Sequence, residues 1–486
     1  AAPVSVLTGI EVGSGALEVA AASFDSTPPL GVPAPTLGEK PVVQEIQGPL
    51  ETHVFAIRQG DLTLGFASSD SSAYDPCRKR LSEALHIPVE RTIVGSTHDH
   101  ATFAAPALDD MSAGGFGRRF YTEFESAAAS LPQRFERVTV AYGKGIEETI
   151  TYNRKGHRED GSTYFMREED RAKLPGDFRG VIDPIASVLR FDGSDGVPRL
   201  LVTHFTGHPV ISFQLEHPVV NPDYCGWAMI DLVQAFRPAH PVAAFFQGCA
   251  GDVNSKHMFG GAELAREAGR KLGKVYIAAS RNARKIADPV LTHGQAVAHL
   301  PYGPLPPLEV LEKELRELLD FQKRVDAGDP NTLNVIGYNF SETMKMGYRR
   351  NMAEPLLRWT RWAIEMQKQG NSAPEESYPI PIQAVGFGEA VFVAMPAELF
   401  VRIGLRIREG SPYALTIPAG YCNAGYPNYI GTSEDVGDRE YMSAFFRHAM
   451  KPPYRKPAGD VIATTAVALL RRMFEAQASK QGASRS

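Results

Sequence analysis

The sequence predicts an α/β fold with α+β character: one large domain of mixed sheets flanked by helices, with a candidate metal site at strand ends. Three observations lead there. Short β-favouring runs alternate with stretches of helical period along the chain. No internal repeat, low-complexity tract or clear linker divides its 486 residues, so 1–486 reads as a single domain with ample material for a core. Histidines stand where several of the strand runs end.

Composition narrows the function classes. A hydrophobic content of 43% and a charged content of 22% are ordinary for a globular chain. A net charge of -5, with no Lys/Arg patch among aromatics, argues against nucleic acid. No apolar run approaches the roughly 18 residues of a membrane span, so any membrane contact is at most peripheral. Cys77, Cys225, Cys249 and Cys422 form no Cys-x-x-Cys pair and no disulfide framework. The chain opens Ala1-Ala2-Pro3-Val4. That fits an exported, periplasmic or secreted protein, with a cytoplasmic one as the alternative.

Strands are expected at Val4–Thr8, Thr52–Ile57 and Leu62–Ala67, the last two forming a hairpin across Arg58–Asp61. A short helix over Arg78–His86 leads to a strand at Thr92–Val94. Ala105–Gly115 reads as loop, Arg118–Ser130 as helix, and Val138–Tyr142, Ser187–Phe191 and Arg199–Phe205 as strands. The polar stretch Asn153–Phe178 is long enough for a functional loop. Ala243–Gln247 is a strand, followed by a glycine-punctuated turn and a helix over Ala262–Arg281. Leu308–Val325 and Glu354–Gln369 read as a helical insertion near 306–370, packed on the body or over a pocket. Strands return at Ile382–Phe387 and Ala390–Met395.

The chemistry starts at Thr97-His98-Asp99-His100, just past the Thr92–Val94 run. In an extended segment, positions i and i+2 share a side, so His98 and His100 can face one pocket while Asp99 faces away. Neutral imidazole is the commonest zinc ligand, and a zinc centre needs three or four ligands. His208 ends another β run before Pro209; His204, His217 and His257 are less clearly at strand exits. Glu398 stands where Val391–Met395 runs out, as a ligand or as an acidic residue at a helix start.

Taken in order, Thr97-His98-Asp99-His100, His208-Pro209, Phe246–Asn254, Pro396–Phe400, Tyr429-Ile430-Gly431-Thr432 and Arg439-Glu440-Tyr441 resemble the landmarks of the neutral/alkaline (non-lysosomal) ceramidase family. The resemblance spans roughly residues 4–445. It implies zinc bound by His98, His208, Glu398 and Tyr429, with His100 and Tyr441 in the catalytic shell and Arg154 on the substrate. The chain departs from the family in three places. Ala101-Thr102-Phe103 follow His100 where the family has Ser-Gly-Pro. Asn254 stands where Gly-Asp-Val-Ser carries a serine, and Ser255 comes one position later. The immunoglobulin-like domain usual after the catalytic one is expected to be missing, since about 45 residues follow Tyr441.

The resemblance therefore implies a zinc-dependent amidohydrolase in which activated water attacks the N-acyl bond of a ceramide-like or other lipidic substrate. His100 would shuttle the proton, Tyr441 would bond the oxyanion, and Asn254 would orient the carbonyl or support the oxyanion. Alternatives are a hydrolase of another N-acyl or ester substrate, such as a lipopeptide or acylated amino compound, and a non-catalytic zinc-binding relative. The metallo-β-lactamase pattern fails after His100, and the amidohydrolase barrel expects βα repeats that the strand-rich N-terminal region lacks.

Overall fold

The structure is a computed structural model that describes residues 9–37 and 41–483, so the strand expected at Val4–Thr8 lies outside the described residues. Among the described residues three five-stranded sheets form the body. The first holds β1 (Leu17–Asp25), β2 (Glu51–Gln59), β3 (Leu62–Ser69) and β4 (Thr92–Ser96) in the order β4-β3-β2-β1, with Glu136–Arg137 on the far edge. The second holds β5 (Thr139–Ile146), β6 (Ile185–Asp192), β7 (Pro198–Phe205) and β8 (Val242–Gln247) in the order β8-β7-β6-β5, edged by Arg284–Lys285. The third holds β9 (Leu291–Pro301), β10 (Ser377–Phe387), β11 (Ala390–Ala394) and β12 (Leu415–Ala419) in that order, with Glu11–Val12 beside β9.

The sheets are mixed, and their parallel pairs aim at one place. β3 pairs with β4, β7 with β8, and β11 with β12, each in parallel. Parallel strands present their C-terminal ends to a common edge, where α/β folds place ligands. Isolated bridges between Gly95 and Cys422, and between Gly248 and Ala419, stitch the three sheets together there. A Cβ on Gly95 would meet the Phe246 ring at 2.5 Å, so a side chain at this junction would force the sheets apart.

Between the sheets lies the central core, whose Phe55, Phe66, Phe246 and Phe392 come from all three. Phe55 stacks on Phe66 at 4.8 Å between centroids, and Phe246 meets Phe392 edge-on at 4.9 Å. Such pairs add about 0.5–1.5 kcal/mol each beyond burial. Helices cover the outer faces in pairs. α1 (Tyr74–Leu85) and α2 (Phe116–Ser130) pack on the first sheet, and α3 (Asp223–Gln234) and α4 (Ala262–Arg281) on the second. The other long helices are α5 (Leu308–Asp326), α6 (Met346–Lys368), α7 (Val401–Gly410) and α8 (Asp460–Ala483). Of these, α7 and α8 pack on the third sheet.

Helices α5 and α6 make a layer of their own, with Leu311, Leu318 and Phe321 meeting Leu356, Leu357 and Trp359. The sequence places the start of α6 near Glu354; the helix in fact begins at Met346 and runs through Pro355. The expected loop 153–178 is also more ordered than its polarity suggests. It carries a small hairpin, Lys155–His157 against Thr163–Phe165, and a helical turn at Glu168–Arg171. No described helix is long and apolar enough to cross a membrane.

Candidate metal centre

Each putting-in-place of a site residue is a strand-exit event. β4 is buried along its length; at its last residue Ser96 N bonds Tyr421 O, and just past it Thr97 N bonds Ser69 O. The strand has ended by His98, whose φ of 62° is left-handed. The two histidines therefore do not converge through an extended i, i+2 arrangement. The turn brings them together instead, with Nε2 atoms 3.3 Å apart, and Asp99 still points away to accept from Ala101 N.

His208 follows β7 and is fully buried. Its Nδ1 lies 2.7 Å from the Ala250 carbonyl, which can only accept, so Nδ1 carries the proton and Nε2 offers its lone pair. Glu398 opens a two-residue parallel bridge with Tyr429, after β11. Its Oε2 stands 3.1 Å from His208 Nε2 and 3.3 Å from His98 Nε2, and those two nitrogens are 3.1 Å apart. A tetrahedral ion with bonds of about 2.0–2.1 Å separates its ligand atoms by about 3.3 Å, so this triangle has the size of one tetrahedral face. The donor set, two imidazoles, that of His208 with a fixed tautomer, and one carboxylate, suits zinc chemistry. His98, His100 and His208 also form a group able to hold a metal ion, with ligand atoms within 4.8 Å of one another.

The electrostatics agree with that use. Burial alone would raise the Glu398 carboxyl, but the His98 imidazole beside it holds it well below the usual carboxylate range. Burial and the Arg154 charge lower His208 to about 3, and burial with the neighbouring imidazoles holds His100 well below its ordinary value. These two rings are therefore neutral at pH 7, the ligating form.

Arg154 is the second organiser. Its backbone N bonds Asp252 O, and its guanidinium reaches Gly251 O at 2.7 Å, Asn254 Oδ1 at 2.9 Å and Tyr429 OH at 2.9 Å. Nη2 also lies 3.3 Å from His208 Nε2, so the arginine borders the centre itself. Asn254 is fully buried and spends its carbonyl on this arginine rather than on the cavity. Ser255 turns the other way, with Oγ accepting from Val210 N.

Next to the centre opens a cavity of about 380 Å³, lined by Leu37, Phe213 and Met258 with His100, Arg154, Tyr429 and Tyr441. Tyr429 and Tyr441 meet edge-on at 5.7 Å, and burial raises both phenols. Tyr348 and Met352 bring the start of α6 into the wall. The α5–α6 pair thus packs on the body and lines the pocket at once.

Solved structures share this architecture. The crystal structure of neutral ceramidase from Pseudomonas aeruginosa matches with a TM-score of 0.59 and 17% identity, over 94% of this chain and 73% of that one. The fold is that of a neutral ceramidase. A ceramidase complexed with C2 matches equally, at a TM-score of 0.59 and 17% identity, over 94% of this chain and 74% of that one. No protein-family model matches the sequence. No curated protein matches it either.

Within this ceramidase fold, His98, His208 and Glu398 meet at one point, with His100 beside them and Tyr429 tied in through Arg154. The remaining histidines lie elsewhere. His204 is buried against the Pro418 carbonyl and Arg408, His217 pairs with Glu45 at the surface, and His257 faces Glu168. Sequence reasoning missed Tyr421, whose ring lies 4.4 Å from that of His98 and whose buried OH has no partner among the described residues. It also missed Asp252, which accepts from Asn153 Nδ2 and Val401 N and so ties the Arg154 segment to the helix after Glu398. Arg167 in the cavity wall was missed too. The available signals were a tyrosine directly after a strand-ending glycine, and an arginine within a loop already marked as functional.

Proposed function

We propose that this chain is a zinc-dependent amidohydrolase that cleaves the N-acyl bond of a ceramide-like or other lipidic amide. The observation that carries the reading is the triangle of His98 Nε2, His208 Nε2 and Glu398 Oε2, at 3.1–3.3 Å, beside a largely apolar cavity. The fold shared with neutral ceramidases supports it. His98, His208, Glu398 and Tyr429 would hold the ion. Zinc, when bound, supplies a Lewis acid that polarises an acyl carbonyl and makes water acidic near pH 7.

The chain's own groups do the rest. Water adds to the acyl carbon; His100, neutral at pH 7 and facing the cavity, takes its proton at Nε2 and returns it to the amine nitrogen as the C–N bond breaks. Tyr441 stays protonated, because burial raises its phenol, and donates to the developing oxyanion. Asn254 and the Gly251 carbonyl fix Arg154 so that its charge faces the same oxygen. The apolar wall receives the acyl chain.

Asn254 also favours a second reading, a non-catalytic zinc-binding relative, because its amide is spent on Arg154 at the position where the resemblance leads one to expect a serine. One experiment separates the two. The zinc-loaded protein is incubated with ceramide, other N-acyl amides and esters, and acid and amine are quantified by mass spectrometry. Release from wild type and not from His98→Ala supports the enzyme; no release from any substrate favours the binding protein.

A further inference from the structure

Buried arginines elsewhere in this chain have their charge answered. Arg408 meets Asp183, Arg447 meets Glu314 and Arg171 meets Glu168, while Arg349 is ringed by backbone carbonyls. Arg167 is different. It lines the cavity beside the metal centre, and its guanidinium donates from Nη2 to Asn339 O at 2.8 Å. Its Nε is buried without a partner, and among the described residues no carboxylate lies within 4.0 Å of it. Asp170 is close in sequence but spends its carboxylate on the Arg167 backbone N–H. The guanidinium carbon sits 5.0 Å from the centroid of Phe165, a ring that also holds Arg154 at 4.9 Å.

Two cations thus share one ring at a cavity whose described lining carries no acid and whose other walls are Leu37, Phe213, Met258 and Met352. Arg167 is partly exposed towards the cavity, and a guanidinium whose buried Nε–H has no acceptor carries a desolvation cost that an added acceptor would relieve. A carboxylate accepts two parallel N–H bonds from such a fork, which a neutral hydroxylated head group cannot reproduce.

We infer that the substrate is an N-acyl amide that carries a carboxylate, seated on Arg167. The inference rests on the amidase reading above and narrows its substrate class. The carboxylate sits either on the amine part, as in an N-acyl amino acid, or at the far end of the acyl chain.

Three matched substrates separate these sources: N-dodecanoylglycine, N-dodecanoylethanolamine and an ω-carboxylated dodecanoyl ethanolamide. The zinc-loaded wild type should favour one carboxylated substrate over the neutral amide by about tenfold or more in kcat/KM, the range of a charge-assisted pair. Which of the two is favoured places the carboxylate. Arg167→Gln should remove that preference through KM, and Arg167→Lys should restore part of it. Equal kcat/KM for all three substrates, or a preference that survives Arg167→Gln, overturns the inference.

Binding alone gives an independent reading. N-(dodecylsulfonyl)glycine, which cannot be cleaved as an amide, should bind the zinc-loaded protein about tenfold tighter by calorimetry than its ethanolamine counterpart, or an ω-carboxylated sulfonamide should do so in its place. Arg167→Gln should abolish the difference. Such a preference without turnover of any substrate sinks the amidase reading and leaves the carboxylate site standing; binding without preference overturns the site.

Discussion

His208 Nε2 stands 3.1 Å from Glu398 Oε2, across 190 positions of sequence, and the Ala250 carbonyl on the far side of the ring fixes which nitrogen faces the carboxylate. Three strand exits meet in that contact. Removing either partner should therefore remove the ion without unfolding the body. His208→Ala and Glu398→Gln are expected to fall below one-tenth of wild-type metal content by elemental mass spectrometry, with the far-ultraviolet circular dichroism unchanged.

Gly251 gives the same conclusion from the backbone. A Cβ there would lie 2.4 Å from the Glu398 carbonyl, so Gly251→Ala pushes on the segment that presents the carboxylate. Metal affinity should fall by about 10–100-fold, the usual effect of disturbing the support of a ligand. Competition with a chelator measures it.

Asn254→Ala leaves a buried Arg154 N–H without its acceptor, a loss of about 1–3 kcal/mol. Turnover should drop while metal content stays at one ion per chain. A variant that loses the ion would place Asn254 in the metal support rather than with Arg154.

Tyr421→Phe tests the opposite case. The phenol is buried beside His98 with no hydrogen-bond partner among the described residues, so deleting the oxygen should leave the stability of the metal-free protein unchanged or raise it by up to about 1 kcal/mol in urea titration. A loss larger than that would show that the oxygen has a partner.

The body should also be acid-sensitive through His53, on β2. Burial lowers its pKa to about 4, and its Nδ1 is held 2.7 Å from Ser23 Oγ. Between about pH 6.5 and 4 the unfolded chain binds the proton that the folded protein refuses. The stability from a neutral His53 is thus fully present above pH 6.5 and is lost as pH falls through that window. The loss between pH 7.5 and 5.0 should be roughly 2 kcal/mol in urea titration, and smaller in His53→Gln.

Local chemistry made part of this legible. Ala262–Arg281 has the apolar period of a helix, and the structure gives it those bounds. The hairpin around Arg58–Asp61 and the strand before His98 follow from β-branched and aromatic alternation. What escaped had weak local signals. β1 is alanine-rich and reads as neither helix nor strand until the first sheet forms around it. α8 carries apolar residues on several faces, and the third sheet decides which it buries.

The site followed the same division. His98, His208 and Glu398 are recognisable because each closes a strand run, so their convergence needs only that the strand ends meet. Tyr421 and Arg167 depend on where side chains point after tertiary packing, which no spacing encodes. The turn at His98 shows the reverse: the pairing with His100 was foreseen through extended geometry, and the fold reaches it through a left-handed residue.

The most direct test of the account is hydrolysis of N-acyl amides, measured as free acid and amine by mass spectrometry, with the same protein zinc-loaded and chelator-stripped. The account predicts equimolar acid and amine from the loaded protein, none from the stripped one, and recovery on adding zinc back. Equal release with and without metal, or none from a protein shown to hold its ion, would contradict it.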